Sequence, residues 1–251
     1  MLKVIYGSAI FLLTLFAGIY PFFKHSREED KPFDFRSGES LACGVFLGAG
    51  LLHMLGESSE LLTNQGIHYP LAFLLCGAVF LLFLWLEHLG KEYYHHSKKH
   101  DNYFAFIVVI MMSIHSLLSG SALGLSDEMG VTAILFFAII SHKLAESFAI
   151  AIQLVKANMS FKMAFSLFVL YACMTPLGIS LGYIMMQSSV GTNGSGLMVP
   201  IFTALAAGTF LYMGTLHGLE KCVLVKQCCN LKYFSFVILG FVIMAIMAMF
   251  V

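Results

Sequence analysis

Long apolar runs alternate with short polar segments along the whole chain. Eight of these runs reach the roughly twenty residues that a helix needs to cross a ~30 Å hydrocarbon core. They cover 2 to 23, 39 to 57, 69 to 89, 102 to 125, 131 to 155, 163 to 187, 197 to 219 and 232 to 250. Within each run the apolar residues are continuous rather than alternating, which favours helices over a barrel, because a helix satisfies its backbone groups internally in lipid. The pattern predicts an all-α polytopic membrane protein with eight transmembrane helices, a single domain over residues 1 to 251. The first run is longer than a signal-peptide core and has no clear small-residue cleavage site, so it reads as a retained helix.

Composition strengthens that picture. The chain is 59% hydrophobic and 11% charged with a mean hydropathy of +0.86, whereas a soluble domain carries roughly 25% charged residues. Formal net charge is zero, and the chain has neither a glycine-rich phosphate loop nor a basic-aromatic strip, so no nucleic-acid or nucleotide partner is expected. Cys43, Cys76 and Cys173 lie in apolar runs, and Cys222, Cys228 and Cys229 share the basic segment CVLVKQCC. Free thiols are the expectation, since no extracellular disulfide framework is visible.

The cations assign an orientation. Of the 14 Lys and Arg residues, all but two fall in the segments 24 to 38, 90 to 101, 156 to 162 and 221 to 232. The alternate segments ESSELLTNQGIHY, SDEMG and QSSVGTNGSG contain none. The positive-inside rule makes the first set cytoplasmic and puts both termini on the outer face of a plasma or inner membrane. Lys3 and Lys143 are the exceptions.

Lys143 lies in SHKLAESFAI, inside the fifth run. A charged residue at the centre of the hydrocarbon costs roughly 2.5 to 3.5 kcal/mol on insertion scales, so it points to function. Counting along the helices puts His115 near the middle of the fourth run and His142 near the middle of the fifth, on antiparallel neighbours. Glu146 shares a face with His142, and Ser119 with His115. Two imidazoles and a carboxylate at one depth suit Zn²⁺, and less selectively Fe²⁺, Mn²⁺ or Cd²⁺. Three alternatives stay open. Lys143 and Glu146 could simply neutralise each other, with both histidines bonded to backbone or hydroxyl groups. A third imidazole, His53 or His217, could complete the zinc site of an intramembrane hydrolase with Glu146 as its base. Facing histidines could also hold a haem.

Other polar residues suggest a route. His53 and Glu57 share a face near the outer end of the second run, and His217 and Glu220 lie at the inner end of the seventh. EHLGKEYYHHSKKHDNY places His88, His95, His96 and His100 in a loop that could hold divalent metal weakly. Gly44 with Gly48, Gly120 with Gly124 and Gly178 with Gly182 permit close helix approach. Pro176 is expected to free a carbonyl and bend the sixth helix.

Taken in order, GVFLGAGLLHMLGE, EHLG, HSLLSGSALGL, HKLAES, MTPLGISLG and AAGTFLY resemble the ZIP family of divalent-metal transporters over essentially the whole chain. The resemblance implies an eight-helix fold with inverted repeats, a metal site between helices four and five, and import of Zn²⁺ or a related ion. It puts the primary site on His115, Ser119, His142 and Glu146, with Ser116, Lys143 and Thr175 at a neighbouring position where an ammonium replaces a second ion. The expected pathway then includes His53, Glu57 and His217. Two positions depart from the family pattern, since Ser119 and His217 stand where a carboxylate is usual. No cofactor is required beyond the transported ion. The partners expected are that ion and the lipid bilayer, with a homodimer left open.

Overall fold

The computed structural model describes residues 2–27, 35–94, 100–157, 159–188, 195–216 and 231–250. The expectations for His95, His96, His217, Glu220 and the cysteines of CVLVKQCC lie outside the described residues. The described chain is helical: α1 (Leu2–Arg27), α2 (Arg36–Gly48), α3 (Gly56–Asn64), α4 (Leu71–Tyr94), α5 (His100–Leu125), α6 (Met129–Lys156), α7 (Phe161–Ser188), α8 (Ser195–Tyr212) and α9 (Leu231–Met247). A π-helical stretch, Ala49–Leu55, joins α2 to α3 into one continuous rod. Seven helical segments are long and apolar enough to cross a membrane, and the shorter Leu231–Met247 is apolar as well. Among the described residues, each of the eight expected runs falls mainly on helix.

Two boundaries differ most from the sequence expectation. The second span does not end at Glu57 but stays helical to Asn64. Polar ESSELLTN tolerates this because its apolar Leu62 is buried and the Ser58 hydroxyl donates to the Pro200 carbonyl of α8 at 2.7 Å. His88 belongs to α4 rather than to a loop, and its Nδ1 lies 3.1 Å from the Leu84 carbonyl one turn back. α7 runs helical through Pro176, whose own carbonyl accepts from the Ser180 hydroxyl at 3.0 Å. Pro176 does line a cavity of about 1190 Å³ between α1 and α7, though neither His115, His142 nor Glu146 reaches it.

The helices sort into two groups. α1, α5, α6 and α7 pack together, and so do α4, α8, α9 and the α2–α3 rod. Each group is built on a glycine seam between parallel helices. In the first, a Cβ on Gly120 or Gly124 of α5 would strike the carbonyls of Thr175 and Ile179 on α7, and one on Gly178 or Gly182 would strike Leu117 and Ser121 in return. In the second, Gly44 of α2 meets the Val237 carbonyl and Gly240 of α9 meets the Leu41 carbonyl. Backbone contact this close is how helices associate where lipid removes the hydrophobic drive between them.

Ion pairs and caps tie the ends. Lys3, one of the two exceptional cations, donates to the Gly124 carbonyl at 2.7 Å and lies 5.1 Å from the Tyr183 ring centroid, so it caps the last turn of α5. Glu87 of α4 bonds the Tyr212 hydroxyl of α8 and pairs with Lys91 at 3.0 Å. Lys156, at the end of α6, reaches across to Glu39 of α2 at 2.5 Å.

Candidate metal centre

The polar centre forms where α5 and α6 of the first group meet α8 of the second. HSLLS on α5 turns His115, Ser116 and Ser119 inward, and HKLAE on α6 does the same for His142, Lys143 and Glu146. All six side chains are buried. The His115 and His142 ring centroids lie 6.0 Å apart, as the depth count predicts. One ligand atom each from His115, His142 and Glu146 falls within 4.8 Å of the other two. Ligands around a tetrahedral Zn²⁺ with bonds of about 2.0–2.1 Å sit roughly 3.3 Å apart. Closure by about 1.5 Å would let these three hold one ion.

Each member has a distinct set of partners. Glu146 accepts from the Ser116 hydroxyl at 2.8 Å, and the Lys143 ammonium lies 3.2 Å from both of its oxygens. Lys143 also donates to Ser116 at 2.8 Å and rests 4.7 Å from the centroid of the Tyr171 ring, a cation–π contact. His115 turns Nδ1 toward α8, 2.6 Å from the Thr209 hydroxyl and 3.1 Å from the Ala206 carbonyl, while its Nε2 faces Ser119 Oγ at 3.4 Å. Neither nitrogen of His142 has a hydrogen-bond partner among the described residues. An imidazole buried without partners is a costly arrangement unless something else fills its lone pair. The reading in which both histidines are bonded structural residues therefore describes His115 but fails for His142.

The remaining expected residues are placed differently. The Thr175 hydroxyl is buried on α7 and has no hydrogen-bond partner among the described residues. His53 sits on the π stretch, buried at 7% exposure, with Nδ1 3.5 Å from Glu57. Neither His53 nor any other third imidazole joins the His115, His142 and Glu146 cluster among the described residues, so the ligand set that a hydrolase would need is not assembled there.

Sequence reasoning passed over the contribution of α8. Phe210 stacks on His115 with centroids 3.7 Å apart and meets His142 edge-on at 4.9 Å, so one ring walls both imidazoles. Gly208 beside it packs against the Cys76 carbonyl of α4. The stretch AAGTFLY carries these residues, and it holds no His, Cys, Asp or Glu that would mark it as part of a metal site.

Membrane-length helices define a multi-pass integral membrane protein, and the nitrogen and oxygen set buried among them is one that could hold a metal ion. The family model for the ZIP zinc transporters matches residues 1–104 and 97–248. Zinc transporter ZIP2 of Homo sapiens is 26% identical over 259 residues, covering 83% of each chain, and that of Mus musculus is 26% identical over 296 residues, covering 96% of this chain and 95% of its own. Protein zntD of Dictyostelium discoideum is 37% identical over 161 residues, 62% of this chain and 23% of zntD. The chain belongs to the ZIP family. Membership in a family of transporters rather than enzymes sets aside the hydrolase reading.

Proposed function

We propose that the chain carries Zn²⁺ into the cytoplasm through a site at the middle of the membrane made by His115, His142 and Glu146. The Ser119 hydroxyl or a water completes the coordination. One observation carries the reading: His142 is buried with both nitrogens unpartnered, beside a carboxylate and a second imidazole within 4.8 Å. A mixed imidazole and carboxylate set favours Zn²⁺, with Fe²⁺, Mn²⁺ and Cd²⁺ as competitors. Relatives named as zinc transporters support the same ion.

Lys143 occupies the neighbouring position beside Ser116, Glu146 and Thr175, where a second ion would otherwise sit. Ions enter past His53 and Glu57 from the outer face, where both termini lie, and leave past His217. The group α1, α5, α6 and α7 moves against the rest of this single domain to alternate access. Transport needs no cofactor, because the ion gradient or cytoplasmic buffering supplies the drive; the bilayer is its medium, and the protein works alone or as a homodimer.

Uptake of radiolabelled Zn²⁺ into proteoliposomes tests this. Wild type should take up zinc saturably, while His142→Ala and Glu146→Gln, folded and inserted, should not. Equal uptake by the variants would sink the assignment of the site, and no uptake by folded wild type would sink the transport reading.

A further inference from the structure

The two histidines of the centre are held in opposite ways. His142 is free at both nitrogens among the described residues, whereas His115 is fixed from behind by α8. A backbone carbonyl can only accept, so the 3.1 Å approach of the Ala206 carbonyl requires a proton on His115 Nδ1. The Thr209 hydroxyl donates to that same carbonyl at 2.6 Å, which leaves its oxygen to accept from Nδ1–H at 2.6 Å. With the proton committed there, the lone pair of Nε2 points to the side of Ser119. Phe210 stacks on the ring and limits its tilt.

We propose that Thr209 is a positioning residue for the metal site, fixing the His115 tautomer and ring angle from the opposite helix group so that Nε2 meets the ion. The proposal rests on the reading of His115 as a metal ligand. A ligating histidine whose second nitrogen is anchored is better oriented and more basic, and removing such an anchor costs roughly 10- to 100-fold in metal affinity. Thr209 contributes no ligand atom of its own; its hydroxyl is spent on Ala206 and His115. The contact also crosses from the second group to the first, so the ring is anchored only while α8 and α5 stay in register. Ala206 has no side chain that could take over, and its carbonyl offers the longer of the two bonds.

The test combines Thr209→Val, which keeps the shape and removes the hydroxyl, with Thr209→Ser, which restores it. Zn²⁺ affinity of purified protein is measured by competition with a chelating dye. Histidine tautomers are read from ¹⁵N NMR shifts of the metal-free protein, with the His115 signals assigned by His115→Gln. The expected result is an Nδ1-protonated His115 in wild type and Ser, mixed or broadened signals in Val, and affinity about 10- to 100-fold weaker in Val but near wild type in Ser. An Nε2-protonated His115 in wild type overturns the proposal, even if Thr209→Val does not fold. So does a folded Val variant with wild-type affinity, or equal weakening in Val and Ser, which would assign the effect to packing. Failure of wild type to bind Zn²⁺ would instead defeat the metal-site reading, and the tautomer measurement needs no metal.

Discussion

Lys143 and Glu146 meet one turn apart on α6, the ammonium equidistant at 3.2 Å from both carboxylate oxygens and each side chain 1% exposed. In the hydrocarbon interior neither charge is tolerable alone, so each is the reason the other can remain. The pair also keeps the centre electrically neutral before any ion arrives.

Removing one partner should therefore uncover the other. Lys143→Met leaves Glu146 buried with Ser116 as its hydrogen-bond donor among the described residues, and about 3–5 kcal/mol of stability should be lost in metal-free protein. Zn²⁺ should raise the unfolding temperature of this variant more than that of wild type, because the dication replaces the missing ammonium. Thermal unfolding in detergent with and without zinc checks it; equal zinc-induced shifts would refute the compensation.

The Ser119 hydroxyl lies 3.4 Å from the His115 Nε2. Ser119→Asp should place a carboxylate at the same ion and strengthen Zn²⁺ binding by about tenfold or more, as a charge-assisted contact of roughly 1.5–3 kcal/mol implies. Dye competition measures this directly. Unchanged affinity would mean that residue 119 stands outside the coordination sphere.

The glycine seam between α5 and α7 makes a contrast in stability. Gly120→Val would drive a side chain into the Thr175 carbonyl, and a loss of about 1–3 kcal/mol or more is expected, seen as a lower midpoint in thermal size-exclusion assays. Gly77→Ala on α4 meets nothing within 4 Å and should be neutral or stabilising by up to about 1 kcal/mol. A Gly120→Val protein as stable as wild type would show that α5 and α7 can separate freely.

Lys156 and Glu39 connect α6 to α2, one helix from each group, across a contact that sliding would break. Lys156 is 43% exposed, so solvent screens the pair and its worth is about 1 kcal/mol or less. Lys156→Gln should change the maximal uptake rate by about fivefold or less with little effect on zinc affinity. A large change in affinity with an unchanged rate would contradict this placement.

Hydrophobic run length made the spans legible, because a bilayer imposes a length and a composition on every crossing. Helical spacing likewise brought His115, His142 and Glu146 to one depth, and the structure joins them in one cluster. The end of the second span was not legible, since polar ESSELLTN reads as loop until Ser58 is seen to bond α8. Thr209 and Phe210 escaped notice for a related reason. Their work is done across helices, on a partner more than ninety residues away in the chain, and a neutral hydroxyl in an apolar run carries no signal of that.

The π-helical stretch Ala49–Leu55 sits between two α-helical halves of the same rod, with His53 inside it and buried. Bonding from each residue to the fifth rather than the fourth accommodates one more residue per turn without breaking the rod. Here, then, the chain can gain or lose a single residue and keep its crossing intact. In a regular α-helix one added residue turns everything beyond it by about 100°, and the wider π turns take up that step locally, so Glu57 and the residues beyond it keep their facing relative to α2. Length variation of one residue among relatives should thus collect in this stretch, each change being taken up between Ala49 and Leu55 while α2 and α3 keep their faces.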